Sequence, residues 1–346
     1  MNAPLVFKVR TAPRRSLPAR NRGFGLVEMM VSMALGLLVV GGAAMLFLAT
    51  RQANGSTDNL SRVQESVRTS YDQMARELRE AGGTPCDSQL LTANVLNNAQ
   101  GATPTWWATW AEPIRGYDGA EAFPGMAAGS AATTRVAGTQ AVLVRYGAAL
   151  DNVHITAHNT TTRVFTTNVV NHGVAVGDLL LACNYRQAAI FEVTAANITT
   201  GTFTHGTGTA APGNCSTGLG LPTVCSVPGN VFQFLPNSMV GRFTVAGWYI
   251  GNNGRTGGSA RSLYRITRNG PEEVADGVRD MQLTFLVSGG TDYVVAASVP
   301  DWNQVMAVRL DLTFESPDVQ AATTTANNAR LTRTVGFTIN VRNLQP

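Results

Sequence analysis

The sequence predicts an α+β protein in which one long N-terminal helix packs on an antiparallel β-sheet domain with large loop insertions. Three observations point there. Residues 29–50 form a run of 22 without a charged side chain. Apolar residues then recur at helical spacing as far as residue 78. Beyond residue 86 the apolar positions alternate with period two, the pattern of half-buried strands.

The first element is the apolar run. At ~1.5 Å rise per residue, a helix of this length crosses a hydrocarbon core of ~30 Å. Lys8, Arg10, Arg14, Arg15, Arg20 and Arg22 precede it, and no Asp or Glu occurs before Glu28. Cationic flanks stay cytoplasmic, so the expected orientation is N-terminus in and the remainder out. The run exceeds the ~7–15 residues of a secretory signal core, and a charged amphipathic stretch follows it. Glu28 sits at the mouth of this helix, where an unpaired carboxylate is costly and suggests a functional role. Gly36, Gly41 and Gly42 weaken the helix by ~1 kcal/mol each relative to Ala.

The helix continues past Arg51. Leu60, Val63, Val67, Tyr71, Met74 and Leu78 are spaced 3, 4, 4, 3 and 4 apart, which makes one stripe. Arg62, Glu65, Arg68, Asp72, Arg76, Glu77, Arg79 and Glu80 lie mostly off it. Asn54-Gly55-Ser56 is an expected bend or fray, and Gly82-Gly83 before Pro85 an expected stop. The organisation is therefore 1–23 as a basic leader, 24–50 as the membrane half of the helix, 51–82 as its amphipathic half, and 83–346 as one β-rich domain.

Strands follow from alternation. Met306, Val308, Leu310, Leu312 and Phe314 share one face, opposite Arg309, Asp311 and Thr313. Val335, Phe337, Ile339 and Val341 repeat the pattern, as do Met281, Leu283, Phe285 and Val287. Residues 141–146, 178–181 and 190–194 read as further strands, and 274–280 as one helical turn. An antiparallel sheet with one apolar face is what the helix stripe needs to cover. Residues 88–138 read as irregular. Residues 195–229 read as a second loop region with a hairpin.

Composition narrows the function classes. The net charge of +4 is set by the leader, because six of the 26 basic residues lie there and leave 20 against 22 acidic. The basic character therefore gives no reason to propose nucleic-acid binding. Cys86, Cys183, Cys215 and Cys225 all follow the membrane segment, and an even count in an oxidising compartment reads as two disulfides. Three pairings are open. The short Gly- and Pro-containing loop between Cys215 and Cys225 favours that pair, leaving Cys86 with Cys183. No C-x-x-C occurs, and His154, His158, His172 and His205 lack zinc-ligand spacing, so no metal or other cofactor is expected. Asp276 and Asp280 offer oxygen ligands without a calcium-loop pattern. Trp106, Trp107 and Trp110 fit either an exposed partner anchor or a cover over the sheet. There is no G-x-S-x-G, H-E-x-x-H or P-loop, and nothing suggests an enzyme.

Gly23, Phe24 and Glu28 resemble the type IV prepilin signature: Gly, then Phe, then Glu at the fifth mature position. The basic leader and the run length agree with it. The 23-residue leader is longer than that of many members, and the mid-helix proline common among them is missing. The resemblance implies that a prepilin peptidase cleaves after Gly23 and methylates the new amine of Phe24. It also implies the overall helix-on-sheet architecture. Patches such as Met74-Ala75-Arg76-Glu77-Leu78, Leu180-Leu181-Ala182-Cys183 and the C-terminal Arg333 to Asn343 stretch resemble PilW-type minor pilins, which are related to the J-type pseudopilins of type II secretion.

That resemblance implies an inner-membrane subunit that joins other minor pilins, the major pilin and the assembly platform. Such a subunit primes the filament and ends at or near its tip, on the cell surface. A pseudopilin of type II secretion or of a competence pseudopilus is the alternative, and a bitopic envelope protein with an uncleaved anchor is the third reading. Two roles fit Glu28. It either pairs with the Phe24 amine of its own or a neighbouring chain, fixing axial register, or it snorkels to the headgroups.

Overall fold

The computed structural model describes residues 23, 25–87, 89–97, 99, 104–208, 212–256, 259–317 and 330–344. The first helix, α1 (Leu26–Glu80), is followed by β1 (Thr92–Asn94), β2 (Ile114–Tyr117), β3 (Ala141–Asn159), β4 (Val164–Thr167) and β5 (Leu179–Cys183). Next come β6 (Ala188–Glu192), β7 (Ala195–Asn197), β8 (Thr202–Thr204), β9 (Ser238–Asn252) and β10 (Arg261–Thr267). The chain ends with β11 (Gly270–Asp276), β12 (Val278–Val287), β13 (Tyr293–Val294), β14 (Val305–Glu315) and β15 (Thr332–Asn340). The chain is α+β, with loop insertions between strands. It forms two compact units, Met1–Asn54 and Gly55–Pro346.

In the first unit, every described residue from Gly25 to Thr50 is exposed. Residues 54–56 keep helical backbone, so the expected fray is not seen. The Asn59 side-chain amide donates to Gly55 O at 2.9 Å.

In the second unit the strands form two sheets rather than one. The larger has eleven strands in the order β1-β6-β5-β9-β3-β4-β8-β7, with β2 on β3 and the β10–β11 pair on β9. The smaller is β13-β12-β14-β15. Among the described strands pairing is antiparallel, except for β1 with β6. Alternation along β3 and β9 gives the large sheet two apolar faces. Val142, Val144, Ala246, Trp248 and Ile250 join the helix stripe and the small sheet in one core. Leu143, Val245, Tyr249 and Ile266 form a second core on the opposite face. A third core around Phe165, Phe191 and Phe203 fills the insertion built on β4 to β8.

The helix stripe docks as periodicity dictates. Val63, Met74 and Leu78 are fully buried, and Val67 and Tyr71 pack partly buried beside them. Burying a Leu or Met side chain contributes ~1.5–3 kcal/mol, so these residues fix which helix face meets the sheet. Leu60 departs from the expectation and stays exposed. The helix stops at Glu80. Gly82 has φ +75°, where a Cβ would be strained, and its N–H donates to Arg145 O at 2.8 Å. The Asn343 side-chain amide reaches Glu80 O at 3.2 Å, so the chain's last segment helps to cap its first helix.

Residues 274–280 form no helical turn. They complete β11 and begin β12, because β11 is held to β10 along its length. Gly277, with φ +75°, turns the chain from one sheet into the other. The expected strands at 141–146, 178–181, 190–194, 281–287, 305–314 and 335–341 fall within or overlap β3, β5, β6, β12, β14 and β15. β3 runs on to Asn159. Residues 88–138 include the short strands β1 and β2, and 195–229 include the β7–β8 hairpin.

Candidate processing and assembly site

The helix begins because Gly25 offers its carbonyl to the first turn. Glu28 N–H and Met29 N–H donate to Gly25 O at 3.0 and 3.1 Å. Glu28 lies in that first turn, where the positive end of the helix dipole favours a carboxylate. Its side chain is exposed, and the Ser32 hydroxyl donates to its carbonyl at 2.6 Å. Gly23 is also exposed, and a Cβ added there would meet nothing within 4 Å. Among the described residues, nothing requires glycine at 23. Phe24 and the leader cations Lys8, Arg10, Arg14, Arg15, Arg20 and Arg22 lie outside the described residues.

None of the most apolar part of the stretch that follows is buried. Leu37, Leu38, Met45 and Leu46 are each more than two-thirds exposed. The helix is long and apolar enough to cross a membrane. Arg51 marks its polar end, with its guanidinium over the Phe47 ring at 5.5 Å.

The cysteines pair as Cys86–Cys183 and Cys215–Cys225. The first ties the loop after α1 to β5, and the second closes a loop in the long insertion. The tryptophans pack, half buried, against the second core, with Trp110 edge-on to Phe243 at 5.9 Å. Trp106 covers Gly125, where any Cβ would collide with the indole at 2.5 Å. Asp276 accepts from Arg255 at 3.1 Å, and Asp280 accepts from Gln282 at 2.8 Å. The two carboxylates are thus engaged separately. No group of three metal-ligating side chains converges among the described residues.

Two buried polar arrangements depart from the expected pattern. Glu77, grouped with the off-stripe charges, is buried. Its carboxylate accepts from Tyr146 Oη at 3.0 Å, Trp248 Nε1 at 2.7 Å and Arg265 Nη2 at 2.6 Å. These partners come from β3, β9 and β10, so one carboxylate locks α1 to three strands. Burial lowers the Arg265 pKa, but the hydrogen bond and charge of Glu77 outweigh it and raise it overall. Burial, then the Glu77 charge, pushes the Tyr146 hydroxyl well above its ordinary value, which keeps it a donor. The spacing 74-77-78-81 would have placed Glu77 on the buried face.

The second arrangement is a histidine pair in the insertion. His158 Nε2 and His205 Nε2 are 2.9 Å apart, and His158 Nδ1 accepts from Phe234 N–H at 3.1 Å. That bond leaves Nδ1 bare, so neutral His158 carries its proton on Nε2 and donates it to His205. Burial lowers His158 to about 4. Burial, then the charge of His158, lowers His205 to about 3.

No curated protein and no solved structure matches the chain. Residues 18–44 match the family described as Prokaryotic N-terminal methylation motif. The match spans Gly23, Phe24, Glu28 and most of the apolar run. It supports a type IV pilin-like protein whose N-terminal helix carries that motif.

Proposed function

We propose that this protein is a minor pilin that helps prime type IV pilus assembly and resides at or near the filament tip. The methylation motif over residues 18–44, laid on an exposed apolar helix, supports the pilin part of this reading. The role is structural rather than catalytic. A prepilin peptidase removes 1–23 on the cytoplasmic face and methylates the amine of Phe24. The subunit waits in the inner membrane, anchored by 24–50, with 83–346 outside. There it meets other minor pilins, the major pilin and the assembly platform.

Glu28 supplies the register. In lipid a lone carboxylate is costly, and a positive partner offsets part of that cost. Cleavage creates such a partner in the Phe24 amine of the same or an adjacent chain. The exposure of Glu28 supports this role, because no group among the described residues engages its side chain ahead of an incoming subunit. Gly23 fits a peptidase cleft that takes the backbone without a side chain. The minor-pilin assignment itself rests on the sequence patches that resemble PilW-type subunits.

Mass spectrometry of the protein isolated from cells tests the reading. N-methylphenylalanine at position 24 is expected. A chain that retains the leader, or one trimmed on the far side of the bilayer, overturns it. Deletion should abolish surface pili and twitching. Loss of exoprotein secretion with pili intact would move the protein to the J-type pseudopilins.

A further inference from the structure

The large sheet has a gap. One edge of β9 pairs with β3 almost throughout, from Tyr249 to Ser238. On the other edge β5 covers residues 239–242 and β10 covers residues 247–252. Residues 243–246 have no strand partner there. Backbone parity shows which groups face the gap. Arg145 N–H donates to Pro113 O, and Gly147 N–H donates to Gly83 O, so both residues point away from β9. Backbone direction alternates along a strand. Val144 and Tyr146 therefore point to β9 at Ala246 and Thr244, and Phe243 and Val245 turn their peptide groups into the gap.

A slot of about 370 Å³ opens at this place. Its charged walls are unequal. Arg242 is paired with Asp178 at 2.6 Å, and Arg265 is held by Glu77. Arg268 has no ion-pair partner among the described residues and is exposed, with its guanidinium 5.9 Å from the Trp107 ring. An unpaired backbone edge beside an unneutralised cation is matched by a chain that offers both main-chain hydrogen bonds and a carboxylate. We propose that the slot binds a short extended acidic peptide segment of a partner protein. Two or three of its residues pair with Phe243 and Val245, and its carboxylate meets Arg268. This site is independent of the N-terminal motif.

The test is calorimetric titration of the full chain in detergent with the capped tetrapeptide acetyl-Thr-Val-Glu-Thr-amide. Saturable binding below about 1 mM is expected. The Gln counterpart should bind about tenfold more weakly, and R268Q should erase the difference between the two peptides. A peptide N-methylated at Val should lose binding, because it cannot donate to the β9 edge. R268Q alters an exposed side chain, so it leaves the fold intact. The proposal falls if no peptide binds. It also falls if R268Q or N-methylation changes nothing, or if sodium acetate displaces the peptide at equal concentration, which would mark a bare anion site.

Discussion

Replacing Glu77 with Ala should destabilise the β-rich unit by about 3 kcal/mol. The carboxylate accepts from Tyr146, Trp248 and Arg265, and its side chain is 10% exposed against 22% for Arg265. Removing one partner of a buried pair typically costs ~3–5 kcal/mol, because the other charge is stranded. Partial solvent access to Arg265 places the effect toward the lower end. The hydrogen bonds from Tyr146 and Trp248 are lost in the same substitution and belong to that cost rather than adding to it. E77Q should fall between wild type and E77A, since its amide faces one donor with another. Urea unfolding of the full chain in detergent, followed by tryptophan fluorescence, measures this. A double-mutant cycle with R265A should give coupling of at least ~1 kcal/mol. If E77A lies within about 0.5 kcal/mol of wild type, as ordinary surface substitutions do, the anchoring argument is wrong.

The buried histidines set a pH dependence. Both pKa values are depressed, to about 4 for His158 and about 3 for His205, against about 6.5 in the unfolded chain. The unfolded state therefore binds more protons below pH ~6.5, and stability rises with pH there. It should be flat above pH 7 and fall as pH drops from ~6.5 toward 4, with His158 alone contributing up to ~3 kcal/mol. The gap between urea midpoints at pH 7 and 4.5 should narrow in H158F, with the part due to His205 remaining; an unchanged gap in that variant would sink the account. Loss of Cys86–Cys183, 97 residues apart, should cost ~4–5 kcal/mol, more than the ~3 kcal/mol or less for Cys215–Cys225, 10 apart. Equal losses in C86A and C215A would contradict the loop-length reasoning. A bulky residue at Gly23 should leave the leader attached, read as an unshifted mass. Glu28→Ala should leave cleavage intact but reduce entry into pili; wild-type incorporation would remove the register role.

The primary sequence determined what depends on residues close together in the chain. The apolar run, the Gly23 to Glu28 spacing and the stripe from Val63 to Leu78 each report on a few turns of one helix. Alternation in β12 and β14 likewise needs only a single strand and its two faces. The turn expected at 274–280 failed because 274–276 pair with β10 and 278–280 with β14, a partner distant in sequence, and that pairing overrode local preference. The same limit hid the partners of Glu77, whose carboxylate is tolerated in the core only because strands β3, β9 and β10 bring three donors to it. It also hid the gap beside Phe243 and Val245, which exists only because two other strands stop short on one edge of β9. Long-range pairing decides which polar groups are satisfied and which are left open, and no local pattern encodes it.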